Sequence, residues 1–341
     1  MSGHGKQRLK ATIRDIATAA GVGTATVERV LNGRGGVRPD TTEKVLAAAR
    51  RLDYARRLPE QHRGVLRIEV ILVRPETTFF ARLSRSFERI AASLDPFVSI
   101  HRTFVDEADP GAIANRIGNP HARRSGLVLA VPQYDEVSLA LKRLLRDNVP
   151  VLQIVTRLED VETDFIGIDN EAAGRTAGQL MAALQPRQGP VLVLCHSDVY
   201  SIHRQRVRGF ADALRRHNRG NLGQAEIAHT HDDPMRAAEI LQDALRRSPD
   251  LAGLYNAGGG NFALCDVLRK FGSGRVTFIG HELTERTTAA LRDGTMHVVI
   301  DQAPEAQARR AIDLMLSRLG VVDAKIENPS IRFVTVTTES V

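Results

Sequence analysis

From Leu66 onward the chain alternates short apolar runs with amphipathic stretches, and that rhythm restricts the fold more than any other feature. LRIEVILV (66–73), GLVLAV (126–131), VLQIV (151–155), DFIGID (164–169), PVLVLC (190–195), LAGLYN (251–256), VTFIG (276–280) and HVVID (297–301) read as strands. The segments between them carry the apolar spacing of helices. Runs that are apolar on both faces suit parallel strands covered by helices, so the pattern predicts a doubly wound α/β sheet or two of them, with a closed barrel as the weaker fit. Ligands of such sheets lie at the carboxyl ends of the strands, which directs attention to the residues that follow each run.

The formal net charge of +7 is concentrated at one end. Residues 1–63 hold 13 Lys and Arg against 6 Asp and Glu, whereas the remaining residues balance at 34 of each. A small basic module joined to a large neutral one points to a polyanion-binding head on a body with a different task. The opening MSGHGKQRLK is polar and leads into no apolar run, so neither a secretory signal nor a membrane anchor is expected and the location is expected to be cytoplasmic. Cys195 and Cys265 stand far apart with no CxxC pattern and are read as ordinary buried thiols.

Within the head, Ile13, Ile16, Ala17 and Ala20 recur at helical spacing, Gly21 interrupts, and Val27, Val30 and Leu31 restart the same period. A third amphipathic stretch follows Pro39 and carries Val45, Leu46, Ala49 and Leu52 on one face. The result is a three-helix unit containing a helix-turn-helix. In such a unit the second helix of the pair enters the major groove by its N-terminal end, here Thr24, Ala25 and Thr26. Thr24 suits a base edge, Ala25 a thymine methyl, Thr26 a helix cap or a phosphate, and Arg29 one turn on suits guanine or a phosphate.

The run TIRDIATAAGVGTATVERVLNG, with the later V-x-x-x-T-x-x-x-V spacing, closely resembles the head of the lactose/galactose repressor (LacI/GalR) family of transcription regulators. That resemblance implies base contacts at Thr24, Ala25 and Arg29. It adds phosphate contacts at Thr12, Thr26 and Asn32, and keeps Tyr54 at the end of the head. Gly23 and Glu28 replace the serines usual in the family. The linker 55–64 departs further, with Pro59 inside the family's hinge helix and Arg63 near the place of its intercalating leucine.

In the body, the residues after the strands include Phe79, Phe80, Gln133, Asp135, Arg157, His203, Arg204, Arg206, Asn256, Glu282 and Gln302. Two aromatics with acids, amides and arginines form the inventory of a polyol or sugar site, where rings stack on faces and polar groups take hydroxyls. The pieces IDNEAAG (168–174), RVRGFADAL (206–214) and GTMHVVIDQAPEAQA (294–308) resemble the ribose-type periplasmic-binding-protein-like core of the same family. The resemblance implies two lobes joined by hinge strands near 157–165 and 278–304. It also implies a ligand-gripping role for Arg206, a polar contact at Gln302, and Glu282 in place of a usual aspartate. The expected effector-binding set is Phe79, Phe80, Asp135, Arg157, His203, Arg206, Asn256, Glu282 and Gln302.

Enzyme signatures are weak. His229-Thr230-His231-Asp232-Asp233 lacks a further ligand cluster and its end reads as a helix start, Gly258-Gly259-Gly260 fits no nucleotide-binding loop, and GxSxG is absent. No catalytic residue, metal or cofactor is expected. The expected organisation is a head (1–54), a hinge (55–64) and a two-lobed effector-binding and dimerisation domain (65–341). Expected partners are operator double-stranded DNA, a small sugar, polyol or derivative, and a second copy of the chain in a homodimer or tetramer. The alternative is a soluble sugar-binding or sugar-modifying protein without operator specificity.

Overall fold

The protein, described by a computed structural model, divides into two compact units, residues 1–64 and 65–341. The structure describes residues 11–31, 36–52, 54, 65–185, 187–197, 200–217, 222–272 and 275–341. Asn32 and the linker 55–64, with Pro59 and Arg63, lie outside the described residues.

The head is built from α1 (Ile13–Ala20), α2 (Thr24–Leu31) and α3 (Pro39–Arg51). A reciprocal cap starts α1: the Thr12 N–H donates to Asp15 Oδ2 at 2.8 Å, and Thr12 Oγ1 accepts from the Asp15 N–H at 3.4 Å. Gly21 ends it in the left-handed conformation, φ 65°, which a glycine adopts without the steric penalty of a side chain. The Gly23 carbonyl then accepts from Thr26 and Val27 to open α2. Ile16, Val27, Val45 and Ala49 are fully buried where the three helices meet. This is the three-helix unit that the apolar spacing predicts.

In the body, β1 (Leu66–Val73), β2 (Val98–Val105), β3 (Gly126–Ala130), β4 (Val151–Ile154) and β5 (Asp164–Ile166) form a parallel sheet in the order β2-β1-β3-β4-β5. The second sheet contains β6 (Gly189–Cys195), β7 (Leu222–His229), β8 (Gly253–Asn256), β9 (Thr277–His281), β10 (Val298–Asp301) and β11 (Val334–Val336). Its order is β11-β10-β9-β8-β6-β7, parallel except for β11. The connecting helices are α4 (Thr78–Ala91), α5 (Pro110–Gly118), α6 (Asp135–Arg146), α7 (Asn170–Leu184), α8 (Ser201–His217), α9 (Pro234–Arg247), α10 (Asn261–Phe271), α11 (Glu285–Arg292) and α12 (Pro304–Arg318).

Two strands that the apolar runs miss, β2 and β7, are sheet edges. Their outward residues, such as Arg102 on β2 and Glu226 on β7, are exposed, so neither reads as a continuous apolar run. The third, β11, is three residues long and also an edge.

The chain passes between the sheets three times. It crosses after β5, at Gln302–Ala303 where α12 returns to pack on α4, and over 319–333 on the way to β11. In that last stretch Ile331 N donates to the Gly167 carbonyl at 2.8 Å and Asn328 Nδ2 to that of Phe165 at 2.9 Å. The crossing at Gln302–Ala303 falls at the end of the expected hinge stretch 278–304, whose strands β9 and β10 lie within the second sheet, whereas residues 157–165 stay with the first sheet because β5 pairs with β4 and the chain crosses just after it.

Candidate functional site

On the head, Thr24, Ala25 and Arg29 are exposed on α2, and Thr26 is half-buried beside them. Thr12 is exposed at the start of α1, where its hydroxyl donates to Asp15 Oδ2 at 2.7 Å and helps hold that carboxyl below its ordinary pKa. Tyr54 packs half-buried against the head core, its N–H bonded to the Ala49 carbonyl at 3.1 Å. The surface of α2 therefore presents hydroxyls, a methyl and a guanidinium, the groups that read base edges and phosphates.

In the body a cavity of about 380 Å³ opens at the carboxyl ends of the strands. Among the described residues, five other than glycine line it in the left-handed backbone region: Arg74 (φ 52°) after β1, Val155 (70°) after β4, His231 (52°) and Asp232 (53°) after β7, and Glu282 (72°) after β9. Each such residue costs on the order of 1–3 kcal/mol, and Val155, branched at Cβ, is the hardest to accommodate. Strain of this kind gathers where side-chain aim matters more than local stability.

The first sheet contributes Arg74, Glu107 and the edge-to-face pair Phe79–Phe80, whose ring centroids are 5.5 Å apart. The second contributes Tyr200, His203, Arg206, Asp232, Glu282 and Gln302. Arg74 joins the two sides, with Nη1 2.7 Å from Asp232 Oδ2 and Nε 3.4 Å from Glu107 Oε1. The Tyr200 hydroxyl donates to the other Glu107 oxygen. Asp232 also accepts from the Gly259 N–H at 2.8 Å, and a Cβ on Gly258 would stand 2.3 Å from Asp232 Oδ1, so the glycine loop makes room for that carboxylate. Although burial opposes ionisation, Arg74 holds Asp232 down to a pKa of about 2. Burial pulls His203 down to about 3, leaving it neutral.

Arg206 is set by close packing of α7 on α8. A Cβ on Gly174 would fall 2.1 Å from the Arg206 carbonyl oxygen, and one on Gly209 2.2 Å from that of Glu171. The backbones touch, which explains why the IDNEAAG and RVRGF pieces carry glycines at these places. Arg206 is 2% exposed; its Nε donates to Asn170 Oδ1 at 2.8 Å, Nη1 to the Ala257 carbonyl at 2.8 Å, and Nη2 to Gln302 Oε1. Burial, then the nearby Asp232 charge, raises Glu282 to a pKa of about 8.

Of the residues expected from the sequence, Phe79, Phe80, His203, Arg206, Glu282 and Gln302 line this cavity together. Asn256 stands behind it, bonding Gly258, Gly259 and Asn261 and so shaping the glycine loop. Asp135 is exposed at the first turn of α6, and Arg157 is exposed with its guanidinium 6.0 Å from the Phe165 ring centroid; neither lines the cavity. Sequence reasoning missed Arg74, Glu107, Tyr200 and Asp232. Asp232 lies in the HTHDD stretch, whose last residue, Asp233, caps α9 as a helix-start reading expects, accepting from Met235 N at 2.8 Å.

Residues 68–320 match the periplasmic binding protein domain family, and residues 12–57 match the bacterial regulatory proteins of the lacI family. The chain is 26% identical over 216 residues to the HTH-type transcriptional regulator DegA of Bacillus subtilis, covering 60% of this chain and 61% of that one. It is 33% identical over 183 residues to the sucrose operon repressor of Klebsiella pneumoniae, covering 50% and 53%. The matched part thus spans about half to three-fifths of these relatives' length. Among solved structures, an ABC transporter solute binding protein from Burkholderia graminis in complex with D-arabinose aligns with a TM-score of 0.70 at 19% identity, over 82% of this chain and 98% of that one. The glucose-galactose binding protein GanP of Geobacillus stearothermophilus aligns at 0.68 and 19%, over 80% and 98%. The chain belongs to the periplasmic binding protein domain family, and its N-terminal unit is the helix-turn-helix head of the lacI family of bacterial regulatory proteins.

Proposed function

We propose that this chain is a sequence-specific DNA-binding transcription regulator, a repressor, whose operator affinity is controlled by a small sugar or sugar-like effector. The observation that carries the reading is the pairing, in one chain, of a lacI-type head exposing Thr24, Ala25 and Arg29 with a body whose cavity converges on the buried Arg206. Relatives named as ribose and sucrose operon repressors support a sugar-type effector, as do Phe79 and Phe80 as a stacking floor. The protein acts in the cytoplasm as a homodimer, whose two recognition helices read two half-sites. Among the described residues, no helix is long and apolar enough to cross a membrane. It does no chemistry on the effector; binding changes the balance between states of different operator affinity.

The test is selection of duplexes from a random pool with the full chain, followed by titration of the winner against salt and against sugars. A two-fold-related sequence should emerge, with affinity falling steeply as salt rises and shifting when effector is added. Retention of all duplexes alike would leave a sugar-binding or sugar-modifying protein as the better reading.

A further inference from the structure

The inner carboxylates of the cavity, Glu107 and Asp232, have a cationic partner in Arg74, whereas the buried guanidinium of Arg206 has no carboxylate partner among the described residues; Glu76, also in the lining, is exposed. All four oxygens of Glu107 and Asp232 face partners on the protein: Asp232 takes Arg74 and the Gly259 N–H, and Glu107 takes the Tyr200 hydroxyl, Arg74 and, at 3.5 Å, His196. Both carboxylates therefore already have a counter-charge, and their oxygens keep lone pairs for a ligand hydroxyl. Glu282, the remaining acid near Arg206, is raised to about 8 and so holds its proton at neutral pH. Asn261 on the same wall is spent on the His281 carbonyl and on Asn256.

Arg206 is the opposite case. Three of its N–H groups bond neutral acceptors, which leaves one N–H on each terminal nitrogen, and no carboxylate among the described residues contacts it. Buried guanidiniums ordinarily meet a counter-charge, and paired N–H groups suit the two oxygens of an acid. A second cation stands on the same wall: Arg286 lies 4.8 Å over the Phe262 ring, and no carboxylate among the described residues contacts it either.

Building on the reading of this cavity as an effector site, we infer that the effector is an acidic polyol, a sugar acid or a sugar phosphate, whose acid oxygens take the two remaining N–H groups of Arg206. The aromatic floor at Phe79 and Phe80 receives its carbon chain, and the volume of about 380 Å³ suits one such molecule.

The experiment is calorimetric titration of the full chain with matched sets: four- to six-carbon aldoses and alditols against their aldonates and their terminal phosphates. At least one aldonate or phosphate should bind about ten-fold or more tightly than its neutral partner, the scale of a charge-assisted bidentate contact. Which of the two acids wins separates carboxylate from phosphate. In Arg206→Gln the preferred acid should fall to the affinity of its neutral partner; an undiminished preference in that variant overturns the assignment to Arg206. A neutral sugar binding as tightly as its acid overturns the inference while leaving the sugar-effector reading standing. Binding by no member of either set overturns that reading and this inference with it.

Discussion

Arg124 and Arg206 are both almost wholly inside the body, 8% and 2% exposed, yet one faces a carboxylate and the other does not. Arg124 Nη1 lies 2.7 Å from Glu69 Oε2 on β1. The other oxygen of Glu69 accepts from Arg116 Nε on α5 at 2.7 Å and from the Thr103 hydroxyl on β2 at 3.0 Å. That cluster ties a helix to the two neighbouring strands and has its carboxylate within the chain, shared by two arginines, with Arg116 Nη1 and Arg124 Nε left without a hydrogen-bond partner. Arg206 is held as rigidly, by Asn170, the Ala257 carbonyl and Gln302, but only through neutral acceptors. A cation that serves the fold has its counter-charge supplied by the sequence. One that serves recognition is oriented by dipoles and kept for a counter-charge that arrives from outside.

The largest effect should come from Glu69→Ala, which strands two guanidiniums beneath the sheet and should cost about 3–5 kcal/mol in urea unfolding, the scale of breaking a buried pair. A loss below about 1 kcal/mol means the cluster is solvated, and the contrast with Arg206 collapses. Arg206→Met should behave in reverse. Its lost hydrogen bonds are offset by removal of a buried charge, so stability should change by about 1 kcal/mol or less, while effector-induced stabilisation disappears, a loss of about 100-fold or more in affinity. Unfolding of Arg206→Met with retained effector response would assign Arg206 to the fold.

The difference between these two arginines was partly legible in the sequence. Arg206 could be found because it follows the PVLVLC run within the RVRGFADAL piece that resembles the family core, and Phe79, Phe80, Glu282 and Gln302 because they follow apolar runs whose carboxyl ends must converge. The three-helix head was legible for a similar reason, since its buried positions recur at helical spacing along a short stretch. Arg74 and Asp232 were not, because their pairing joins residues far apart in the chain through two left-handed backbone turns that no local pattern reports. Asp135 and Arg157 follow strands as a ligand residue should. The start of α6 leaves the first exposed, and the second, just past the left-handed turn at Val155, stands by Phe165. Position after a strand fixes the neighbourhood of a side chain, while backbone sign at the strand end decides its aim.

A third arginine extends the comparison to solvent. Arg29 is exposed on α2, so Arg29→Ala should leave the melting temperature unchanged while flattening discrimination between the selected operator and single-base variants by about 1–3 kcal/mol at one position. A uniform weakening across all duplexes, with a shallower salt dependence, would instead assign Arg29 to a phosphate.

The smallest effect tests why Arg206 goes unneutralised. Glu282 shares its surroundings with Asp232, Arg206, Arg82 and Arg74, and burial and Asp232 together lift it from an ordinary 4.5 to about 8. The folded state then binds a proton that the unfolded chain releases, so this group's contribution to stability is fully present below about 4.5 and is lost as pH rises toward 8. The slope is about 1.4 kcal/mol per pH unit at most. His203, depressed to about 3, acts in the opposite sense, adding stability as pH rises from 3 to its ordinary 6.5 and nothing beyond. Between pH 6.5 and 8 the two therefore separate, and wild type should lose stability with rising pH relative to Glu282→Gln. Parallel curves over that window would mean that Glu282 is ionised at neutral pH. It would then be the counter-charge of Arg206, and the distinction between the two buried arginines would reduce to one of distance.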